Sequence, residues 1–517
     1  MTLEQNGLDD HIQLLVAQYL QANRHTKTLK QFEIEVDRPL SSHLAAEDVC
    51  GVGGKAILEE SLESIIRDRM NFIKAGSTER DISNFSNEIH TPAQKALIEK
   101  NGLEILKWTL PYPNRVGQID AGNGNSLVIH SSFVKMKIAS QTVFVALFSM
   151  SNKTLLMIDL ITKTPLMTYS NLHGNSVVGR IAIGIDGTNF IISCGMDGKA
   201  ILCSIDGNYQ LEKISEIQLH QRLVTSLKYL YINDEEYYLC SIGWDFKVKV
   251  HKLNVKNGTW EVIGYNRLLT NGTCMETFWF PTFNNIKYPL IIVGRLDSSL
   301  LSYFIIDERD KKLIQICSLS LNDSEFNNHS FHPTSMVITK TTDNNKFLIT
   351  VGTNHIPYMR IITILLPDIQ ELINENPIIS NEQNSIIMAD ISKKLSQIAL
   401  TSSNEQSFAN ASSIPIIRNI TVSNLNSLSP QDKYSNGIII SRSSLGKNGI
   451  YIAGDDGKIR GLDLKDGHII ELKGKTHEGR MKSMLLGEID GIGEIIVSCG
   501  AIDKTIKIWE CDSFELN

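Results

Sequence analysis

Three histidine–aspartate pairs in this 517-residue chain have the residue types that acid–base catalysis uses. The members of each pair are 24 to 26 positions apart: His173 and Asp197, His220 and Asp245, His477 and Asp503. A catalytic site is normally singular, whereas this arrangement recurs along the chain. The sequence also has no G-x-S-x-G, H-E-x-x-H or G-x-G-x-x-G motif. The repetition therefore favours a structural hydrogen-bond network and predicts a protein that is not an enzyme.

A serine accompanies each of these pairs, as Ser193 does before Asp197, and a tryptophan accompanies one of them. Ser241 precedes Asp245, Ser498 precedes Asp503, and Trp509 follows Asp503. An aspartate in a tight turn can accept a hydrogen bond from the histidine, and serine and tryptophan can supply further donors. A buried polar network of this kind would fix the geometry of a repeated unit.

Beyond residue 125 the chain consists of short β-branched and aromatic runs separated by Asn, Asp and Gly, which is typical of strands and hairpins. Seven units can be aligned on their turn residues, at intervals of 45, 48, 52, 57, 102 and 47 residues: Asn152, Asp197, Asp245, Asp297, Asn354, Asp456 and Asp503. The units resemble the WD repeats of β-propellers. That resemblance implies a mostly β fold, a seven-bladed propeller over residues 105–517.

Two further expectations concern the ends of this ring. Closing a propeller normally requires a strand from the N-terminal side in the last blade, and residues 102–110, GLEILKWTL, are our candidate. The long fifth interval predicts a polar insertion at about residues 368–415, within which residues 386–400 could form an amphipathic helix. An eighth blade is the alternative explanation of that interval.

The N-terminal region, residues 8–37, has the apolar spacing of two short helices. A hairpin this small cannot bury both apolar stripes alone, so a second copy is expected to cover them. The predicted dimerisation residues are Ile12, Leu15, Val16, Tyr19, Leu20, Leu29 and Phe32. A hairpin packed on its own propeller is the alternative. Residues 38–100 are predicted to form a helical linker region.

The hairpin resembles the LisH motif, which in its family mediates homodimerisation. The resemblance is carried by Tyr19, Leu20, Asn23, Thr26, Thr28, Phe32 and Glu35. The sequence departs from the motif at Arg24 and His25, where the family usually has Gly-Tyr in the turn between the helices. A left-handed backbone there would cost Arg24 free energy that glycine avoids.

Composition disfavours several classes of protein. The net charge is −7, with 57 acidic and 50 basic residues spread along the chain, so direct nucleic-acid binding is not expected. We found no secretion signal and no run of 18 apolar residues, which predicts an intracellular protein of the nucleus or cytoplasm. The eight cysteines include no C-x-x-C pair, so we expect reduced thiols, no metal and no cofactor.

The sequence thus predicts a scaffold that dimerises through its LisH module and recruits other proteins on its propeller. Aromatic and basic residues beside the predicted blade turns are the candidate partner-binding positions: Trp244, Lys247, Arg295, Tyr358, Arg360 and Arg460. The family resemblance implies a subunit of a multiprotein complex, of the corepressor, ubiquitin-ligase or motor-regulator type. An RNA-processing or ribosome-biogenesis propeller is the alternative.

Overall fold

The computed structural model describes residues 24–36, 89–119, 126–173, 179–281, 287–322, 331–341, 346–369, 416–435, 437–472 and 476–511, with a few single positions. The chain divides into two compact units, Met1–Asn87 and Glu88–Asn517. The helix Pro92–Lys100 therefore belongs to the second unit, whereas the sequence analysis had started the propeller at residue 105.

The N-terminal unit contains helix α1 (Thr26–Val36). Leu29 of α1 is buried together with Ala17, and Leu20 and Phe32 pack against this pair. Val16 and Tyr19 are half-buried. Ile12 and Leu15, the other predicted dimerisation residues, lie outside the described residues.

The turn before α1 has the left-handed backbone conformation that was considered for Arg24. Arg24 has a φ of 58°, in the left-handed region. Its N–H donates to Gln21 O, and the N–H of His25 donates to Leu20 O. These two bonds are those of a Schellman helix end, in which glycine usually occupies the left-handed position. Arg24 thus adopts a conformation that glycine would adopt at lower cost.

The second unit begins with helix α2 (Pro92–Lys100) and strand β1 (Arg115–Ile119). Blade 1 comprises β2 (Val128–Ile138), β3 (Gln141–Met150), β4 (Leu155–Asp159) and β5 (Thr164–Tyr169). Blade 2 comprises β6 (Gly179–Gly184), β7 (Phe190–Gly195), β8 (Lys199–Ile205) and β9 (Leu211–Gln218). Blade 3 comprises β10 (Val224–Tyr231), β11 (Glu236–Gly243), β12 (Lys247–Asn254) and β13 (Thr259–Arg267).

Blade 4 comprises β14 (Gly272–Pro281), β15 (Lys287–Arg295), β16 (Leu300–Asp307) and β17 (Lys312–Ser320). Blade 5 comprises β18 (Pro333–Lys340), β19 (Phe347–Thr353), β20 (Tyr358–Leu365) and β22 (Thr421–Pro430), and the short β21 (Ile416–Ile417) adds a parallel fifth strand to blade 4. Blade 6 comprises β23 (Ile438–Ser441), β24 (Ile450–Ala453), β25 (Ile459–Leu462) and β26 (Ile469–Glu471). Blade 7 contains β27 (Met481–Ile489), β28 (Gly493–Gly500) and β29 (Ile506–Glu510).

Seven blades are therefore present, as the repeat pattern predicts, and no eighth sheet occurs among the described residues. The long fifth interval falls between the third and fourth strands of blade 5. Most of the predicted insertion, including the helix proposed for residues 386–400, lies outside the described residues.

Apolar packing between neighbouring blades forms the core. The described residues of this unit form seven buried apolar clusters, and each cluster joins two adjacent blades, including the pair formed by blades 7 and 1. The second strands are buried on both faces; β11 and β19 are examples. Such strands show a continuous apolar run because both of their faces are covered.

The turns between second and third strands are held by their own Asp or Asn side chains. Asp197 Oδ1 accepts the N–H of Lys199 at 3.0 Å, and Asn152 Oδ1 accepts the N–H of Thr154 at 3.2 Å. Asp456 and Asp503 make the same bond two residues ahead. The residue in between takes a left-handed φ, which glycine supplies at Gly198 and Gly457. This local bond favours Asp or Asn at the turns of blades 1, 2, 6 and 7. In blade 3 Asp245 instead accepts bonds from His220 and from the N–H of Gln221, and in blade 5 Asn354 accepts the N–H of His332.

The strand that closes the ring is not the one that the sequence suggested. β1 pairs antiparallel with β29, from Arg115 opposite Glu510 to Ile119 opposite Ile506, and so completes blade 7. Residues 102–110 contain no strand, so our candidate was wrong. They lie along blade 6 instead, where Leu103 and Ile105 join the apolar cluster between blades 5 and 6. The alternating apolar residues of this segment serve packing rather than pairing.

A fully buried ion pair holds the segment before β1 in place. Arg442, at the end of β23, binds both carboxylate oxygens of Glu494 in β28, with N–O distances of 2.8 and 2.7 Å. Neither side chain is exposed to solvent. Arg442 also donates to the carbonyl oxygens of Thr109 and Pro111, at 2.6 and 3.0 Å. The pair therefore joins blade 6, blade 7 and the segment that leads into β1.

Every polar atom of this pair has a partner. The fifth N–H of Arg442 donates to Asn448 O, and its guanidinium stacks on the Trp108 ring at 4.3 Å. Glu494 accepts two further bonds, from the Tyr451 hydroxyl at 2.9 Å and from Lys447 Nζ at 3.1 Å. A buried ion pair is tolerated only with such complete pairing, and removing one partner typically costs about 3–5 kcal/mol.

We expect Arg442→Met to lower the free energy of unfolding by about 3–5 kcal/mol, because Glu494 would remain buried without its charge partner. Urea unfolding followed by tryptophan fluorescence measures this, since all five tryptophans lie within the second unit. Arg115→Met is the matched control. Arg115 pairs with Glu510 at 2.9 Å but is 61% exposed, so its loss should cost at most about 1 kcal/mol. Equal losses in the two variants would contradict the role of the buried pair.

Candidate functional site

One face of the propeller collects the features that could bind another molecule. In an antiparallel four-stranded blade, the turn between the second and third strands lies at the same end as the connections to the neighbouring blades. We call the face formed by these turns and connections the turn face. All seven turn residues of the repeat alignment lie on it, between the second and third strands of their blades.

Three blades contain a buried Ser–His–Asp arrangement beneath this face. His220 Nδ1 lies 2.8 Å from Asp245 Oδ1, and His220 Nε2 lies 2.9 Å from Ser241 Oγ. The corresponding distances in blade 7 are 3.0 Å from His477 to Asp503 and 3.0 Å from His477 to Ser498. Each histidine comes from the connection that enters the blade, so the network ties that connection to the turn.

Blade 2 has the same arrangement. His173 Nδ1 lies 3.3 Å from Asp197 Oδ2, and His173 Nε2 lies 2.9 Å from Ser193 Oγ. The atoms are those of a catalytic triad. The serines that would act as nucleophiles are, however, at most 4% exposed, and the arrangement occurs three times. A structural role accounts for both the burial and the repetition.

The electrostatics of the network favour a neutral histidine. Burial lowers the pKa of His220 and of His477, and the neighbouring aspartates only partly offset this effect. Burial would raise the pKa of Asp245 and Asp503, but the hydrogen bond and charge of the histidine outweigh it and lower the pKa of both carboxyls. A neutral imidazole donates its Nδ1–H to the aspartate and accepts the serine hydroxyl at Nε2.

The strand aromatic that was predicted to join the network does not do so. Trp509 is fully buried in the apolar cluster between blades 6 and 7, and its Nε1 has no hydrogen-bond partner among the described residues. His251, at the same position in blade 3, likewise has an unpaired Nδ1 there, and burial lowers its pKa to about 4. In blade 7 the additional hydroxyl comes from Thr505, whose Oγ1 lies 3.2 Å from His477 Nδ1.

Large apolar side chains are exposed at one recurring position of the turn face. The residue immediately before the turn aspartate is apolar and exposed in blades 2, 3, 4 and 7, by 55, 48, 36 and 64% respectively: Met196, Trp244, Leu296 and Ile502. Further exposed apolar residues on the same face are Phe246, Leu269, Ile356 and Tyr434. Exposed large apolar residues that recur on one face are candidate positions for binding another protein.

The predicted partner-binding residues differ in their burial and in their hydrogen bonds within the propeller. Arg460 is buried and donates two bonds to Asp456, at 3.0 and 2.6 Å, so it belongs to the turn of blade 6. Arg360 donates to Asn424 Oδ1 at 2.9 Å, on the outermost strand of blade 5. Tyr358, at the start of β20, is half-buried.

The other three predicted positions lie together on blades 3 and 4. Trp244 is exposed in the turn of blade 3, and Lys247 starts the strand that follows it, with its Nζ 4.9 Å from the centre of the Tyr265 ring. Arg295 ends the second strand of blade 4 and donates to Ser298 Oγ at 3.2 Å. These three side chains are brought to neighbouring points of the turn face. The apolar residues Met196, Leu296 and Ile502 were not predicted from the sequence, because a single apolar residue in a turn gives no signal by itself.

A cavity of about 300 Å³ opens over the network of blade 7. It is lined by Thr476, His477, Glu478, Asp503, Thr505 and Lys507. The ammonium group of Lys507 donates to the carbonyl of Thr476 across it. Both charge signs are present, and no cluster of metal-ligating side chains occurs among the residues that the structure describes.

The cysteines give no sign of reactivity. All seven in the described part of the chain are buried and none of them is in a disulfide, and Cys50 lies outside it. Burial raises the pKa of six of these thiols, for example to about 12 for Cys274 and Cys317. Such thiols are poor nucleophiles at neutral pH. Among the described helices, none is long and apolar enough to span a membrane.

Comparison with known proteins finds two family models that match this chain. A family model for the UCP007778 β-propeller domain matches residues 92–510, and one for the UCP007778 LisH domain matches residues 10–43. The chain is also similar to the uncharacterized protein YGR117C of Saccharomyces cerevisiae. The two are 23% identical over 367 residues, which cover 68% of this chain and 74% of the yeast protein.

We expect the free energy of unfolding to fall as the pH is lowered from 7.5 to 5. The unfolded histidines take up protons near pH 6.5, whereas His220 and His477 have lowered pKa values in the folded protein and stay neutral to lower pH. Their stabilisation is therefore complete above pH 6.5 and is lost below it, at no more than about 1.4 kcal/mol per pH unit for each histidine.

Urea midpoints measured across this pH range test the expectation. His220→Gln/His477→Gln should show a shallower dependence on pH than the wild type. Ser241→Ala/Ser498→Ala removes hydrogen bonds from the same networks without removing a titrating group, so it should be destabilised but keep the wild-type slope. If both variants kept that slope, these two histidines would not be its source.

Proposed function

Because the chain belongs to the UCP007778 family, with its LisH and β-propeller domains, we propose that it is a non-catalytic scaffold that self-associates and binds partner proteins on the turn face. It would act as a subunit of a multiprotein complex. The LisH and propeller domains support protein interaction as the coarse function. The binding face and the dimer are the parts that this proposal adds.

The recurring apolar position is the observation that carries the proposal. Met196, Trp244, Leu296 and Ile502 all precede a turn aspartate whose side chain is fixed by local hydrogen bonds or lies beside the next blade connection. Their backbone positions are therefore set by the blades rather than by a mobile loop. A rigid surface with large exposed side chains binds a partner at a low entropic cost.

The N-terminal module supports self-association in a similar way. Its described apolar contacts involve only Ala17, Leu20, Leu29 and Phe32. Ile34 of α1 remains 72% exposed. A helical hairpin of this size buries too little surface to be stable alone, and a second copy would cover the remaining apolar residues. Two linked propellers would then hold two clients at a high effective concentration.

We expect Trp244→Asp/Ile502→Asp to release proteins that co-purify with the wild-type chain, because a charge at each site opposes apolar docking. The measurement is quantitative comparison of the proteins that co-purify with each tagged full-length chain from its own cells. Ile161→Asp/Tyr231→Asp is the matched control, since these residues are 49 and 53% exposed at the opposite ends of their blades. Retention of all partners by the Trp244/Ile502 variant would sink the turn face as the binding surface.

We expect Tyr19→Asp/Phe32→Asp to halve the mass of the full chain in solution, because Phe32 packs against the buried pair Ala17 and Leu29 and Tyr19 is half-buried in the same hairpin. Light scattering after size-exclusion chromatography measures the mass. Gln31→Asp, at an exposed position of the same helix, should leave it unchanged. The urea midpoint of the propeller should be the same in all three proteins. A wild-type monomer would refute dimerisation without affecting the proposal for the turn face.

A further inference from the structure

The turn face between blades 3 and 4 combines its exposed apolar residues with cations that form no salt bridge within the part of the chain that the structure describes. The apolar residues are Trp244, Phe246, Leu269 and Leu296, which are between 36 and 65% exposed. Backbone hydrogen bonds connect the segments that contain these residues. The N–H of Leu268 donates to Phe246 O at 2.7 Å, and the N–H of Leu296 donates to Asn271 O at 2.8 Å. We call this surface the blade 3–4 patch.

Four basic residues border the patch: Arg222, Lys247, Arg267 and Arg295. Arg222 precedes Leu223, whose carbonyl accepts the N–H of Trp244 at 2.9 Å. Lys247 and Arg267 are directly opposite each other on β12 and β13. None of the four forms a salt bridge with a carboxylate of the described residues, although the chain as a whole is acidic.

Two details show that these cations are held at a cost. Like charges placed directly opposite on neighbouring strands are destabilising, and Lys247 and Arg267 are such a pair. Arg295 is only partly exposed, and its buried Nε has no hydrogen-bond partner among the described residues. Partly buried guanidinium groups are normally paired with an anion.

The nearby turn carboxylates do not neutralise the patch. Asp245 is 7% exposed and accepts bonds from His220 and from the N–H of Gln221. Burial lowers the pKa of Arg295 and no carboxylate offsets this effect, so Asp297, in the turn of blade 4, is not paired with that guanidinium. Two carboxylates against four cations leave the patch with a net positive charge. The positive charge of the patch is therefore available to a ligand.

We propose that the blade 3–4 patch binds an acidic peptide segment of a partner protein, with one or more carboxylates on Arg295 and its neighbouring cations and with large apolar side chains against Trp244 and Leu296. This inference rests on the proposed function and names the chemistry of the partner. Arginine binds carboxylates in a two-pronged geometry, which gives direction as well as affinity. A nucleic acid could use the same charges but would leave most of the apolar surface uncovered, so a peptide fits the patch better.

A random 12-residue peptide library selected on the full-length chain tests this proposal. We expect the enriched peptides to carry a net negative charge and at least one Leu, Trp or Phe. Binding of the best peptide, measured by fluorescence anisotropy, should weaken at least tenfold in Arg222→Gln/Arg267→Gln/Arg295→Gln. It should also weaken when sodium chloride is raised from about 50 to 500 mM, and this salt dependence should be reduced in the triple variant.

Lys433→Gln is the matched control, because Lys433 is an exposed cation on the same face, in the connection between blades 5 and 6. It should leave the peptide affinity unchanged, and the urea midpoints should show that all variants are folded. Enriched peptides that are neutral or basic, no enrichment at all, or binding that survives the triple substitution would overturn the acidic-peptide proposal. So would binding of a 20-nucleotide single-stranded RNA that is lost in the triple variant when no acidic peptide is enriched. The proposed function fails separately, if partners from cells survive Trp244→Asp/Ile502→Asp.

Discussion

The buried contact between Arg442 and Glu494 is the constraint on which closure of the ring depends. Blades 1, 2, 3 and 6 consist of consecutive strands, and blades 4 and 5 depart from that order only through the short β21, whereas blade 7 needs a strand from the N-terminal side of the propeller. That strand, β1, has five residues and buries only Ile119, so apolar burial alone defines its position poorly. The buried pair binds the carbonyl oxygens of Thr109 and Pro111 just before β1. A buried ion pair whose donors are all hydrogen-bonded fixes one position of the segment before β1, whereas an apolar contact would tolerate several positions.

The turn chemistry that stabilises each blade also creates the surface that we propose for binding. When Asp197 or Asp503 bonds the N–H two residues ahead, its side chain turns toward the blade. The preceding residue, Met196 or Ile502, is then exposed at the tip of the turn. The network below is buried and its histidine is neutral, so it adds rigidity, and the charge that it places beneath the face is that of the aspartate. The turn aspartate thus stabilises the blade, while the residue before it is available for binding. The exposed residue can therefore differ from blade to blade while the aspartate is retained.

The sequence predicted the periodic features well and the non-periodic ones poorly. The turn residues could be found even in the degenerate blades 1, 5 and 6, because their Asp or Asn side chains accept backbone hydrogen bonds from the turn itself or from the connection that enters the blade. The closing strand was missed because β1 is exposed at four of its five residues, whereas residues 102–110 have the apolar alternation of a strand and use it to pack on blades 5 and 6. The Arg442–Glu494 pair could not be predicted, since the two residues are 52 positions apart and occur in different blades. Trp509 was assigned to the network on residue type, but its burial is apolar.

The histidine networks also affect which basic residues of the turn face pair with a turn aspartate. In blade 6 the arginine near the turn, Arg460, is paired with the turn aspartate, because no histidine occupies that aspartate. In blade 3 the aspartate is already bound by His220, so the cations of that blade cannot pair with it. In blade 3 the histidine network therefore leaves Lys247 without a salt bridge among the described residues. In blades 2 and 7, by contrast, basic residues beside the turn find other carboxylates: Lys199 pairs with Glu216, and Arg480 pairs with Asp432 and Asp455. Cations without a local anion thus distinguish the blade 3–4 patch from the other blades that have the histidine network.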